Sequence, residues 1–498
     1  MNQTQKHTTG KKLLALLLAL IMSVSLLPMS VFAADLDSQT DEQTVVGQGV
    51  EDAVPGETDG QAEEAVPQED VEEDSAPVEE DTEDDVDVTD DIATQEGDVA
   101  VQAAEISYVT KISDGKKLDD STFYRIVHID CGRKYFSADD LKKIIDYAYE
   151  YGYTHVELAF GNDGLRFLLD DMTVSVNGED TDVTAAIQYG NKQFDAKASY
   201  SPEVTNEELS QSEMTDIIAY AKGKGIGIIP MFDVPGHLYA VIQAMQKLGV
   251  DVTGYYEGPG SGSSPNWAIS PTNVASVNFV QALVQKYITY FKNQGCTMFN
   301  IAADESGIST TNYLAYAKLV NSVAAMVQNA GMVALAFNDG IYNPSYTSAL
   351  GSYEFDSNIA ICYWDAGGGT SYAQAKDLAE NKGFKIINTH NGWYYVIGKE
   401  NITGKDWSGY AYTCEYAKQQ MSSENSCLNI DGDNKQTTPA GCMAAIWCDY
   451  PANSANWTNV ESYIKTLAQY NTAYFVKKST PAVKIVASAT SVKVGDTV

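Results

Sequence analysis

From Phe123 onward, short β-branched and aromatic runs alternate with stretches whose apolar residues recur at helical spacing, and this alternation restricts the fold more than any other feature. Eight runs qualify as strands: Phe123–Asp130, Thr154–Phe160, Gly225–Asp233, Cys296–Asp304, Met332–Asp339, Ile359–Asp365, Phe384–His390 and Gly441–Asp449. Between the first two, Leu141, Ile144, Ile145 and Ala148 mark one face of a helix over Ala138–Tyr151, and Ser137 with Asp140 three residues on supplies its cap. Met214–Lys224, Val274–Gln294, Tyr313–Ala330, Tyr372–Lys382 and Trp457–Tyr470 read as further helices. Largely apolar strands belong in a parallel sheet covered by helices, so eight of them predict an α/β fold of the (β/α)8 TIM-barrel class. A doubly wound open sheet is the alternative, but no glycine-rich phosphate loop follows the first run.

The barrel accounts for residues 105–478. Ahead of it, Lys6, Lys11 and Lys12 precede the apolar run Leu13–Leu27, Pro28 and the small-residue site at Ala33 and Ala34, so residues 1–34 read as a secretory signal. That run is 15 residues long, short of the roughly 20 that span a bilayer. Residues 35–104 form an acidic linker, with 26 Asp and Glu and no Lys or Arg between Asp35 and Ala100. Such a tract cannot bury enough apolar surface to offset its chain entropy and is expected to be a disordered, self-repelling spacer. It carries −26 of the net charge of −36, and with +3 in the signal this leaves −13 for residues 101–498. The acidity is thus a property of the linker, and the lack of a basic face excludes nucleic acid as a partner. Residues 479–498 change to a strand-turn pattern and read as the start of an immunoglobulin-like β module. The expected location is secreted or on a bacterial cell surface, with attachment resting on regions beyond residue 498.

Seven cysteines without CxxC spacing argue against a disulfide framework and a zinc site, although one bridge such as Cys414–Cys427 stays open. His128, His155, His237 and His390 show no ligand spacing, and Asp431–Asn434 lacks the glycine and distal glutamate of a calcium loop. No metal and no cofactor are expected.

In barrels of this class the chemistry lies at the C-terminal ends of the strands. Here Asp130, Asp233, Asp304 with Glu305, Asp339, Asp365, His390 and Asp449 close the apolar runs. Any one of them could be a cap or turn residue; their convergence on one mouth favours a site. Trp364, Trp447 and Trp393-Tyr394-Tyr395 fall at the same ends. Aromatic faces beside carboxylates suit a sugar, whose C–H faces stack while its hydroxyls need paired partners. Glycoside cleavage normally needs two carboxyl groups about 5 to 9.5 Å apart, whereas neighbours on a strand point to opposite sides. Asp304 and Glu305 therefore do not read as an acid and nucleophile pair, but as one group at the leaving oxygen and another at a different part of the substrate.

The segments HIDCGRKYFS (128–137), ELAFGNDGLRFLLDDM (157–172), IIPMFDVPGH (228–237), FNIAADE (299–305), AFNDGIY (336–342), CYWD (362–365), NTHNGWYYVIG (388–398) and AAIWCD (444–449) resemble glycoside hydrolase family 20, the β-N-acetylhexosaminidases. The pattern is most similar to streptococcal surface exo-β-N-acetylglucosaminidases and lacto-N-biosidases, and spans about residues 105–475. The resemblance implies a retaining, substrate-assisted hydrolase acting on a glycan. Glu305 would be the acid and then the base, and Asp304 would orient the 2-acetamido group that attacks the anomeric carbon. Tyr394 would donate to the acetamido oxygen, with Tyr395 as the alternative one residue on. Arg133 would fork onto ring hydroxyls and Asp449 would take O4 and O6. Trp364 and Trp447 would wall the sugar, Asp339 would join the binding set, and His237 would support the catalytic pair, though a structural role in its turn stays open. A proton donor of this kind is expected to have its pKa raised by the neighbouring carboxylate.

Three departures stand out: Ala302 and Ala303 replace the family's usual glycines, Asp449 replaces a common Glu, and no α+β domain precedes the barrel. Three readings follow. An exo-β-N-acetylhexosaminidase leads; a lacto-N-biosidase would release a disaccharide; a glycan-binding protein on a retired barrel would not need the Asp304-Glu305-Tyr394 set.

Overall fold

The structure, a computed structural model, describes residues 105–471 apart from 202–207, 262, 365–371, 391, 393, 399–408, 421–436 and 454. The signal, the acidic linker and the C-terminal β module lie outside the described residues, as do Asp365, Trp393, Cys427 and the 431–434 loop.

All eight apolar runs form strands: β1 (Tyr124–Ile129), β2 (His155–Asn162), β3 (Gly227–Phe232), β4 (Met298–Asn300), β5 (Val333–Phe337), β6 (Ala360–Tyr363), β7 (Lys385–Asn388) and β8 (Gly441–Ile446). Each pairs in parallel with the next, and β8 pairs with β1 from Gly441–Tyr124 to Ile446–Ile129, which closes the barrel. Residues at even spacing fill the interior: Ile126, Ala159, Ile229, Met231, Met298, Leu335, Cys362, Ile387, Met443 and Ala445 form one buried cluster. Their neighbours, such as Val127, Leu158, Phe232 and Ala444, join a second cluster under the helices.

The helices are α1 (Ala138–Glu150), α2 (Thr184–Lys197), α3 (Gln211–Gly223), α4 (Tyr239–Lys247), α5 (Val274–Asn293), α6 (Tyr313–Asn329), α7 (Tyr410–Gln420) and α8 (Trp457–Tyr470). Ser137 and Asp140 form the expected capping box on α1, a contribution of about 1 kcal/mol. The helix expected over Tyr372–Lys382 reduces to a π-helical turn at Asp377–Asn381, and β5 is followed only by a 3-10 turn at Thr347–Leu350.

Helices α2, α4 and α7 lie outside the expected set; α2 escapes a periodicity reading because polar groups occupy its buried face, whereas the buried face of α4 is apolar. In α2, Asn191 bonds both the N–H and the carbonyl of Leu165, and Asp195 pairs with buried Arg166. Gly190 lets α2 lie directly on α4, since a Cβ there would stand 2.0 Å from the Ala240 carbonyl oxygen. Two hairpins also went unread: Thr173–Val176 with Glu179–Asp182, and Tyr256–Ser261 with Ser264–Ala268. Among the described residues no helix is long and apolar enough to cross a membrane.

Candidate active site

The site is set by how β4 ends. Inside the barrel, Glu157 receives His128 at 2.8 Å on one oxygen and the Asn300 amide at 3.0 Å on the other. Asn300 then takes the Ala302 N–H on its side-chain oxygen at 2.9 Å, and the strand stops. Ala302 (φ 54°), Ala303 (φ 62°) and Glu305 (φ 41°) all adopt left-handed backbone. That conformation costs an L-residue about 1 kcal/mol or more, which explains why glycine suits the two alanine positions. The alternating-strand geometry expected for Asp304 and Glu305 is therefore replaced by a kinked loop, held by the Ala303 N–H on Asp233 (3.2 Å) and the Glu305 N–H on Asp339 (2.8 Å).

Both carboxylates line one pocket of about 90 Å³, together with Arg133, His237, Trp364, Tyr395, Trp447 and Asp449. A wider depression on the outer surface, beside Leu168 and Glu213, has no aromatic residue among its described lining. Arg133 is buried and its guanidinium meets Asp163 at 2.9 Å, Asp130 at 3.3 Å, the His237 ring at 3.0 Å and Asp449 at 3.8 Å. Burial opposes its charge, but Asp449, Asp163 and Asp130 outweigh burial and hold it protonated well above its ordinary range. Gly132 makes this turn feasible: a Cβ there would sit 2.6 Å from the Asn162 nitrogen.

His237 bridges the two ends of the pocket. Its Nδ1 faces Arg133 and Asp163, and its Nε2 lies 3.3 Å from Glu305. Burial pushes the imidazole down, yet Asp163 raises it and the balance lies well above the usual histidine range. Held protonated in this way, the ring presents an Nε2–H to Glu305. Asn266, from the second hairpin, donates to the same Glu305 oxygen at 2.9 Å. Burial pushes Glu305 up, but His237, Arg133 and Asn266 prevail and its pKa is lowered. This reverses the expected upward shift: the donors around the carboxylate decide, rather than the adjacent Asp304. Burial, followed by the charge of Asp304, raises Asp233 and Asp339 well above ordinary carboxyls. Three buried negative charges so close cannot all persist.

Ligand atoms of Asp233, His237 and Asp304 lie within 4.8 Å of one another, a grouping that sequence spacing does not reveal. Both ring nitrogens of His237 already face Arg133, Asp163 and Glu305, so the imidazole is poorly placed to offer a lone pair to a cation.

The tyrosine assignment changes. Tyr394 is buried in the outer layer, and its hydroxyl accepts from the Asn471 amide at 2.5 Å. Tyr395 lines the pocket, stacked on Trp364 at 6.2 Å. The reason is register: Tyr395 pairs with Ala445 on β8, whose side chain faces the interior, so Tyr394 must face out. Asp339 is likewise absent from the pocket lining and serves the Glu305 backbone instead. Trp447 packs on His128 at 4.2 Å and on Phe337 at 5.6 Å, and among the described residues the indole nitrogens of Trp364 and Trp447 have no acceptor. His390, expected at the mouth, is half-buried and does not line the pocket; burial lowers its pKa to about 4, and its Nδ1 accepts from Gly392.

Asp163 and Asn266 were not foreseen as site residues. Asp163 carries the left-handed backbone that follows β2 (φ 58°), a conformation a lone Asp before Gly can signal. Asn266 had no such mark.

Residues 123–463 match the model of the glycosyl hydrolase family 20 catalytic domain, over half of the chain. The chain belongs to glycosyl hydrolase family 20. Two structures of the pneumococcal exo-β-D-N-acetylglucosaminidase StrH are similar to this family 20 chain at 32% identity and a TM-score of 0.61 each, covering 72% of it and 85% and 86% of those chains. Dispersin B, at 20% identity and a TM-score of 0.51 over 70% of this chain and 99% of that one, shares the fold. As a family 20 catalytic domain the protein is a glycoside hydrolase.

Proposed function

We propose that the protein is an exported exo-β-N-acetylhexosaminidase that removes one terminal β-linked N-acetylhexosamine from a glycan, with retention. The observation that carries this reading is the single small pocket in which Asp304, Glu305 and Tyr395 face Arg133 and Asp449. The similarity to StrH, an exo-β-D-N-acetylglucosaminidase, supports the substrate class. The basic and apolar N-terminal signal supports export.

In this mechanism Glu305 gives its proton to the glycosidic oxygen as the acetamido oxygen attacks C1. The C1–O bond to the leaving group breaks and an oxazolinium ring forms. Asp304 takes the acetamide N–H and offsets the positive charge, while the Tyr395 hydroxyl holds the acetamido oxygen. Glu305, now ionised, accepts a proton from water attacking C1, and the second inversion restores the β configuration. Arg133 retains one free N–H on each terminal nitrogen after its contacts with Asp163, Asp130 and His237, enough to fork onto ring hydroxyls beside Asp449. Trp364, Trp447 and Tyr395 supply aromatic walls.

The modest volume and the carboxylates packed around Arg133 favour one ring over two. Release from aryl β-GlcNAc and aryl β-lacto-N-bioside decides this: the proposal expects turnover of the first. Turnover of the second alone would assign a lacto-N-biosidase, and binding without turnover of either would assign a glycan-binding protein.

A further inference from the structure

Beside the pocket stands an aromatic ring that the proposed reaction leaves unused. Tyr256, on the hairpin Tyr256–Ser261 with Ser264–Ala268, is a large side chain left 40% exposed. Its ring lies flat on Gly307, two residues after Glu305: a Cβ at Gly307 would stand 2.3, 2.5 and 2.8 Å from Cγ, Cδ1 and Cδ2 of that ring. Gly258 makes room at the ring's edge, since a Cβ there would come within 3.0 Å of Cε1. One ring face is thus seated on backbone, and the exposed part of the side chain leaves room for a ligand on the other.

The hairpin's orientation is fixed from both sides. Gly258 pairs with Asn266 and Tyr256 with Ala268, so Tyr256 and Asn266 share a face, and Asn266 on that face donates to Glu305. Trp267, on the opposite face, packs on Tyr239 at 4.4 Å and Tyr255 at 5.0 Å. At the far end Ser263 donates its N–H to the Asp449 carbonyl at 2.9 Å. The hairpin therefore runs along the mouth with Tyr256 against Gly307, two residues after Glu305, and outside the pocket lining.

Resting on the reading of Glu305 as the proton donor, we propose that Tyr256 is the platform for the leaving-group residue, a pyranose stacked on the face turned away from Gly307. The next sugar must lie beyond the oxygen that Glu305 protonates, and the ring is the aromatic surface the hairpin offers there. It selects glycans over small aglycones without touching the sugar that is released.

The test compares kcat/KM for N,N′-diacetylchitobiose with that for the methyl β-glycoside of GlcNAc, using the full chain. Tyr256→Ala is expected to lower the ratio of the two by roughly tenfold, the scale of one aromatic contact. Tyr256→Phe is expected to keep the wild-type ratio, because the ring and not the hydroxyl acts. A ratio within twofold of wild type in Tyr256→Ala, including an equal loss on both substrates, would overturn the proposal. So would a Tyr256→Phe variant as impaired as Tyr256→Ala. If the wild-type chain released GlcNAc from neither substrate, the reading of Glu305 would fail first and this proposal with it; an active wild type with an unmoved ratio sinks the proposal alone.

Discussion

Exchanging one hydroxyl for hydrogen at two adjacent tyrosines separates catalysis from packing. Tyr395→Phe removes the donor proposed for the acetamido oxygen, while the ring stays stacked on Trp364. Loss of one preorganised donor to a developing charge costs about 100- to 1,000-fold in kcat. Tyr394→Phe acts elsewhere: it leaves the buried Asn471 amide without the oxygen it meets at 2.5 Å, and among the described residues a weak sulfur contact to Cys442 at 3.7 Å remains. An unmet buried donor costs about 1–3 kcal/mol of stability, a fall of about 1 to 4 degrees in Tm for a domain of this size. Steady-state kinetics on aryl β-GlcNAc and thermal melts of both variants check the pair. The reasoning is refuted if Tyr394→Phe loses turnover at full stability while Tyr395→Phe keeps both.

Glu305→Gln is expected to lower kcat by about 100- to 10,000-fold while GlcNAc binding survives titration; full residual turnover would remove Glu305 from its role. The pH dependence follows from the lowered pKa of Glu305. Its protonated form is the acid, so kcat/KM falls as pH rises through that pKa, which places the alkaline limb on the acidic side. Asn266→Ala deletes a donor to the carboxylate and moves that limb to higher pH; an unmoved or downward-shifted limb contradicts the assignment.

The barrel was legible because the strands are largely apolar and seven of the eight runs end in an ionisable residue. Those features are local and survive without knowledge of the partner strands. Among the helices that went unread, α2 buries Asn191, Asp195 and Gly190, where hydrogen bonds and close approach replace apolar area. The pocket was legible through Arg133, Asp304, Glu305, Trp364, Trp447 and Asp449, all near strand ends. Asp339 and His390 share that position in sequence yet serve backbone N–H groups.

By itself, the order of apolar runs and terminal carboxylates determined an eight-stranded barrel and the rim on which its acids gather. Tertiary structure alone decided which tyrosine enters, because a strand's facing depends on its pairing with β8. It also decided the charge of Glu305, which rests on His237 and Asn266 brought from 68 and 39 residues away along the chain. Facing and electrostatics are set by distant partners, and no local pattern encodes them.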